Sequence, residues 1–107
     1  MNPMDIKRAL EHEFAAHWLI DELPNLDDET VLNTELPRRA TNSARRLRMS
    51  VGDGQIEALK QYLDSIQANQ QHPFLSVVAN TTGMAWMDSP GDWKVFQRLL
   101  ELIKNSL

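Results

Sequence analysis

Five arginines lie close together near the middle of the chain, and their side chains are the ones best suited to bind a charged partner. They are Arg38, Arg39, Arg45, Arg46 and Arg48, five of the eleven Lys and Arg residues in the protein. No acidic residue falls within residues 36–50. A row of guanidinium groups can hold phosphates or carboxylates through paired hydrogen bonds. The sequence leaves three uses open for this cluster: pairing within the chain, docking to an acidic protein surface, or binding nucleic acid.

Charge in the rest of the chain weighs against nucleic acid. Residues 1–35 carry nine acidic side chains against two basic ones, and the formal net charge is −4. Nucleic-acid-binding domains are usually basic, and single-strand binders place aromatic residues among their cations, which this cluster lacks. The helix after the cluster would be the recognition helix of a helix-turn-helix, yet its exposed positions are nearly neutral. An acidic protein partner therefore ranks ahead of nucleic acid, and the acidic first third can itself pair with the arginines.

Glu13 and His17 form a second group of residues that could do chemistry. They lie four residues apart within the apolar face of the first predicted helix. This spacing can support proton transfer or metal ligation. One Glu and one His are too few for a metal site, and the repeated Glu and His positions of a di-iron helix bundle are missing. We predict a structural polar pair, in which His17 or an arginine from the cluster neutralises the carboxylate, and we expect no metal and no cofactor.

A third group combines methionine with tryptophan in Met84-Ala85-Trp86-Met87, together with Trp93. Flexible Met side chains beside Trp are typical of adaptable binding surfaces. The same residues are equally typical of a lid over the hydrophobic core. We predict that Trp86 and Met87 belong to a partner-binding surface and leave the core lid open as the alternative.

Signatures of catalysis are missing from the sequence. It contains no glycine-rich phosphate loop, no G-x-S-x-G elbow and no H-E-x-x-H helix. It also contains no cysteine, so a thiolate nucleophile and a Cys-based zinc site are excluded. We therefore expect a protein that is not an enzyme.

Apolar periodicity and breaker residues divide the chain into helices. The predicted spans are about 3–23, 28–35, 37–50, 54–69 and 90–106. Pro37 separates the second span from the third, and Gly52-Asp53-Gly54 connects the third to the fourth, which we expect to pack together as an antiparallel hairpin. The stretch 74–87 fits a short helix better than a short β-hairpin, because a lone two-stranded hairpin is marginally stable. The predicted fold is all-α, a compact bundle or orthogonal array of four to five helices.

The last predicted helix carries the widest apolar face. Half of its circumference is apolar, so it must pack against two neighbouring helices or against a second subunit. We expect it to form the centre of the core, with Leu99 among its buried residues. The width of this face, and the thin apolar edge of the arginine helix, also predict a homodimer.

Length and composition limit the class of protein. A chain of 107 residues with 42% hydrophobic residues has the size and content of one globular domain, so residues 1–107 are predicted as a single helical domain. No apolar run approaches the ~18 residues of a membrane span. The charged N-terminal stretch does not resemble a secretory signal, and the lack of cysteine suits a reducing compartment, so we expect a cytoplasmic protein.

The function predicted from these patterns is a small non-enzymatic protein-binding module. Its role would be that of an adaptor, inhibitor, immunity protein or assembly chaperone, which docks through segregated charge and a Trp/Met patch. The alternative is a dimeric regulatory protein that binds nucleic acid through the arginine-rich helix over 37–51.

Overall fold

The computed structural model describes residues 5–18, 29–82 and 90–107, apart from the side chains of residues 31, 32, 82 and 90–92. Its α-helices are α1 (Ile6–His17), α2 (Glu29–Val51), α3 (Ile56–Gln67), α4 (Pro73–Thr82) and α5 (Pro90–Ser106), with one 3₁₀ turn over Asp53–Gln55. No strand occurs within these ranges. The all-α prediction is confirmed, and the stretch assigned to a helix or a hairpin is helical through Thr82.

Helix α1 is shorter than predicted at both ends. Asp5 is not helical (φ −58°, ψ 138°), and its carboxylate accepts a hydrogen bond from the backbone N–H of Lys7 at 3.2 Å, which caps the first turn. At the other end Trp18 leaves helical geometry (φ −126°, ψ 34°) and buries its ring against α2. Helix α1 therefore ends at His17, because Trp18 leaves helical geometry to pack against α2, and the rest of the predicted span, residues 19–23, lies outside the described residues.

Helix α2 runs unbroken through Pro37, so the predicted division into two helices was wrong. A proline inside a helix removes one backbone hydrogen bond and costs roughly 3 kcal/mol. Buried residues lie on both sides of it, with Leu36 1% and Ala40 0% exposed. They begin an apolar seam that continues through Ala44, Leu47 and Val51 and packs on α5 and α1. This burial holds the two halves of α2 in one helix.

Gly52 ends α2, as the sequence predicts. Its φ of 79° and ψ of 160° belong to a region that only glycine occupies readily, and its N–H donates to the carbonyl of Arg48 at 3.1 Å. The 3₁₀ turn follows at once and leads into α3. Helix α3 does not pack along α2 as a hairpin, however; it packs on α5.

Helix α5 lies at the centre of the core and contacts both α2 and α3. Its residues Phe96, Leu99, Leu100 and Ile103 are fully buried. Two neighbouring helices of the same chain thus cover the wide apolar face. This is the first of the two arrangements predicted for α5, the other being packing against a second subunit. A second subunit is not needed to bury this face, and dimerisation stays a prediction.

An aromatic cluster joins α1 to the rest of the core. The ring of Phe14 lies 6.0 Å from that of Trp18, 5.7 Å from that of Phe74 and 5.7 Å from that of Phe96. These edge-on and tilted contacts connect α1 with α4 and α5. Within the described ranges, none of the helices has the length and apolar character needed to cross a membrane.

Candidate binding surface on the arginine helix

Helix α2 presents its five arginines in two groups. Arg38, Arg45 and Arg48 are exposed to solvent, whereas Arg39 and Arg46 are half-buried on the flank that faces α1. Because the apolar seam points the opposite way, the arginines occupy one broad face, as the helical spacing predicts. The two groups have different surroundings, so the five arginines do not form one uniform binding surface.

Arg46 binds the buried carboxylate of Glu13. Its Nε lies 2.8 Å from Oε1 and 3.2 Å from Oε2 of Glu13, and its Nη2 lies 2.6 Å from Oε1. Glu13 is only 4% exposed. A carboxylate at that depth needs a charged or strongly hydrogen-bonding partner to remain ionised. Arg46 is this partner. The sequence offers two partners for Glu13, His17 or an arginine of the cluster, and Arg46 is the second kind.

Ser43 extends this pair into a small buried network. Its hydroxyl accepts a hydrogen bond from the indole N–H of Trp18 at 3.0 Å and another from Nη2 of Arg46 at 3.4 Å. Ser43 is fully buried within the seam of α2. The network therefore fixes the end of α1 to the middle of α2 and satisfies the buried polar groups of Glu13, Trp18 and Ser43.

His17 is exposed and lies close to the Glu13–Arg46 pair, with which it lines a common recess. The predicted pairing of Glu13 with His17 stays a prediction, since the contacts described for Glu13 are those with Arg46. The described residues contain no group of three or more His, Cys, Asp or Glu side chains arranged to hold a metal ion.

A recess of about 230 Å³ opens between the end of α1 and the flank of α2. Its lining is polar and cationic apart from one aromatic ring, and consists of His17, Trp18, Arg38, Arg39, Asn42 and Arg46. None of these residues is acidic. The recess therefore joins two of the predicted groups, the arginine cluster and the region of Glu13 and His17.

The outer face of α2 carries the remaining arginines together with Met49. Arg45 and Arg48 are exposed and make no ion pair with any described residue. Arg38 pairs with Glu35 one turn earlier in the helix, in a contact that is open to solvent. Met49 is 81% exposed, the one large hydrophobic side chain of the described residues to be so. Cations and one apolar side chain thus share this face.

Some predicted residues fall outside the described ranges. Trp86 and Met87 are among them, as are Asp27 and Asp28 of the acidic first third. Trp93, their neighbour in the predicted Trp/Met group, packs against the core, with its ring 6.2 Å from that of Phe96.

Two features of this surface were missed by the sequence reasoning, the burial of Ser43 and the exposure of Met49. Ser43 falls within the apolar seam of α2, and a polar residue at such a position signals a buried hydrogen bond. Met49 falls on the arginine face, where an apolar residue stands out on a helical wheel.

Comparison with known proteins gives no relative for this chain. No family model matches it, and neither the curated proteins nor the solved structures contain a match. Its function must therefore be inferred from its own residues.

Proposed function

We propose that this protein is a non-enzymatic, cytoplasmic protein-binding module that docks an acidic surface of another protein through the outer face of α2. The observation that carries the proposal is that Arg45 and Arg48 are exposed and make no ion pair with any described residue. The formal net charge of the chain is −4, so these cations form a local positive patch on a negative protein.

Such a patch orients the partner protein as well as strengthening its binding. Opposite charges steer two proteins into one mutual arrangement, and the negative remainder of the chain repels an acidic partner from other faces. Arginine is suited to this use because its planar guanidinium binds carboxylates bidentately and loses hydration easily. The patch therefore selects a partner rich in Asp and Glu.

Met49 supplies an apolar contact beside these cations. Its 81% exposure means that most of its side chain is available to a partner. Met is common at adaptable interfaces because its side chain is flexible and polarisable. Trp86 and Met87 belong to the same proposal as a further source of buried apolar area. Together these features suit an adaptor, inhibitor, immunity protein or assembly chaperone.

The experiment compares two double charge reversals of equal size. Arg45→Glu/Arg48→Glu changes the proposed surface, whereas Lys7→Glu/Arg8→Glu changes two exposed cations in the first turn of α1. Each variant is used to capture proteins from the cells that naturally produce the chain. We expect an acidic protein that the wild type and the α1 variant retain and that the α2 variant loses.

Purified complexes then separate the proposal from its alternatives. The retained protein should bind the purified wild type directly, with an affinity that falls steeply as salt rises. If no captured protein depends on Arg45 and Arg48, the proposal is wrong. If the wild type instead binds DNA or RNA duplexes and loses at least ~1000-fold in affinity between about 50 and 200 mM salt, the nucleic-acid alternative replaces it.

A further inference from the structure

The recess between α1 and α2 has the lining of an anion-binding site. Arg38, Arg39 and Arg46 contribute guanidinium groups, and Asn42 contributes an amide. Each of these side chains donates hydrogen bonds, and none of the described lining residues carries a negative charge. A site with this composition recognises an oxyanion.

Arg46 is already held in position for such a ligand. Its Nε and Nη2 are engaged by Glu13 and Ser43. A guanidinium group carries five N–H donors, and the two on Nη1 remain without an acceptor among the described residues. Because the buried carboxylate fixes the plane of the guanidinium, a ligand bound at Nη1 orders little additional side-chain freedom.

The other lining residues complete the arrangement. Asn42 is half-buried and makes no side-chain hydrogen bond with a described residue, so its amide can donate to a ligand. His17 is exposed at the recess and offers a ring N–H. The side chain of Arg38 is 61% exposed and pairs with Glu35. A surface ion pair of this kind contributes little free energy, so a ligand can displace Glu35.

We propose that this recess binds a phosphate dianion, either inorganic phosphate or a small phosphate monoester. Arginine side chains bind phosphate oxygens in a bidentate manner, and a phosphate offers more acceptor oxygens to the guanidinium and amide donors of the recess than a single carboxylate does. The volume of about 230 Å³ is below the 300–1,000 Å³ of pockets for drug-sized ligands, which favours a small ligand. The proposal does not depend on protein docking, since Arg45, Arg48 and Met49 do not line the recess and Arg38 alone belongs to both surfaces.

Nitrogen–proton correlation spectra test the proposal directly. The full chain is titrated at an ionic strength of about 150 mM, where the charges of the outer face are largely screened, with inorganic phosphate and, separately, with phosphoserine and glycerol phosphate. We expect saturable shifts at the Asn42 amide and the Trp18 indole, with a dissociation constant of about 1 mM or tighter. Preference for phosphoserine or glycerol phosphate over inorganic phosphate would identify a monoester as the natural ligand, and the reverse order would identify the free anion.

Variants distinguish a specific binding site in the recess from general electrostatic attraction of anions. Asn42→Leu and Arg39→Gln should each weaken binding about tenfold, and Arg46→Lys should do so too, because lysine keeps the charge near Glu13 but lacks the guanidinium fork. Arg45→Gln/Arg48→Gln removes two cations from the outer face and should change the dissociation constant less than about twofold. The spectra of the ligand-free variants report whether each one is folded.

Three results would overturn the proposal. The first is the absence of saturation at about 20 mM phosphate, which lies well above the affinity expected of a specific site. The second is equal weakening by the outer-face variant and by Asn42→Leu, which would mean general charge attraction. The third is acetate binding as tightly as phosphate, which would mean a carboxylate site. None of these results depends on whether Arg45 and Arg48 dock a protein.

Discussion

Arg46 grips Glu13 with both Nε and Nη2, although the two residues lie 33 positions apart in the sequence. This ion pair places one arginine of the cluster inside the fold, where it docks α1 onto α2. Arg45, its immediate neighbour, points into solvent and makes no ion pair with a described residue. Adjacent arginines therefore have different uses, and substitution of each should have a different effect.

Removal of Arg46 should destabilise the protein more than removal of any exposed arginine. Arg46→Met leaves the carboxylate of Glu13, which is 4% exposed, without its cation. Breaking a fully buried pair costs about 3–5 kcal/mol, and the 39% exposure of Arg46 reduces that to about 2–3 kcal/mol in the free energy of unfolding. Urea denaturation measures the difference.

Two further variants identify the cause of this loss. Arg45→Met is the matched control at an exposed site and should change the free energy of unfolding by no more than about 0.5 kcal/mol. Glu13→Leu/Arg46→Met removes both charges and should recover most of the stability, because a buried pair can often be replaced by apolar residues at little cost. Equal stability of the Arg46→Met and Arg45→Met proteins would contradict the structural role of the pair.

Leu99 should be among the residues least tolerant of substitution. It is fully buried in α5, the helix that packs on both α2 and α3. Leu99→Asp places an unpaired carboxylate in the core and should abolish folding, as seen in a loss of helical circular dichroism. Leu99→Ala should remain folded but lose about 2–5 kcal/mol of stability. Lys94→Ala, at an exposed position of the same helix, is the control, and a folded Leu99→Asp protein would contradict the central place of α5.

Gly52 and Gly54 form a matched pair for testing the turn between α2 and α3. Gly52 has a φ of 79° and a ψ of 160°, so Gly52→Ala should cost about 1–3 kcal/mol. Gly54 has no positive φ, and a Cβ added there meets no atom within 4 Å. Gly54→Ala should therefore be neutral or stabilise by up to about 1 kcal/mol, because alanine restricts the unfolded chain. Thermal unfolding of both variants provides the measurement, and equal effects would contradict the described turn.

The sequence predicts those parts of the fold that depend on local patterns. Helix α2 ends at Gly52 because the backbone there takes a positive φ, which glycine adopts readily. Helix α5 begins at Pro90 because proline is tolerated in the first turn of a helix. The apolar face of α5 correctly predicts its central position. Each of these features is decided by neighbours within a few residues along the chain.

Features that depend on packing between distant segments could not be predicted. Pro37 lies inside α2 because burial on both sides of it outweighs a local penalty. Trp18 ends α1 because its indole reaches Ser43, which is 25 positions away. The wheel places Glu13 on a buried face but does not choose between His17 and Arg46 as its partner. That choice depends on how α1 docks on α2, which is information that a single helix does not contain.

His72 should make the stability of the protein depend on pH. Its Nδ1 accepts a hydrogen bond from the backbone N–H of Phe74 at 3.1 Å, at the start of α4, and its ring packs edge-on against Tyr62 at 5.5 Å. Burial lowers the pKa of His72, and the nearby charge of Lys7 lowers it further. A protonated ring would also lose the lone pair that accepts the Phe74 hydrogen bond.

The sign of the effect follows from this lowered pKa. In the unfolded chain His72 takes up a proton near pH 6.5, whereas in the folded chain it does so only at a lower pH. Its contribution to stability is therefore complete above pH 6.5 and declines as the pH falls from there through the folded pKa. His72→Asn keeps a side-chain acceptor for the Phe74 N–H but cannot titrate. Urea midpoints measured at about pH 7.5 and 5.5 should differ less for His72→Asn than for the wild type, while Gln71→Asn, at an exposed neighbouring position without a titratable group, should keep the wild-type difference. If His72→Asn kept the full difference as well, another group would be responsible for the pH dependence.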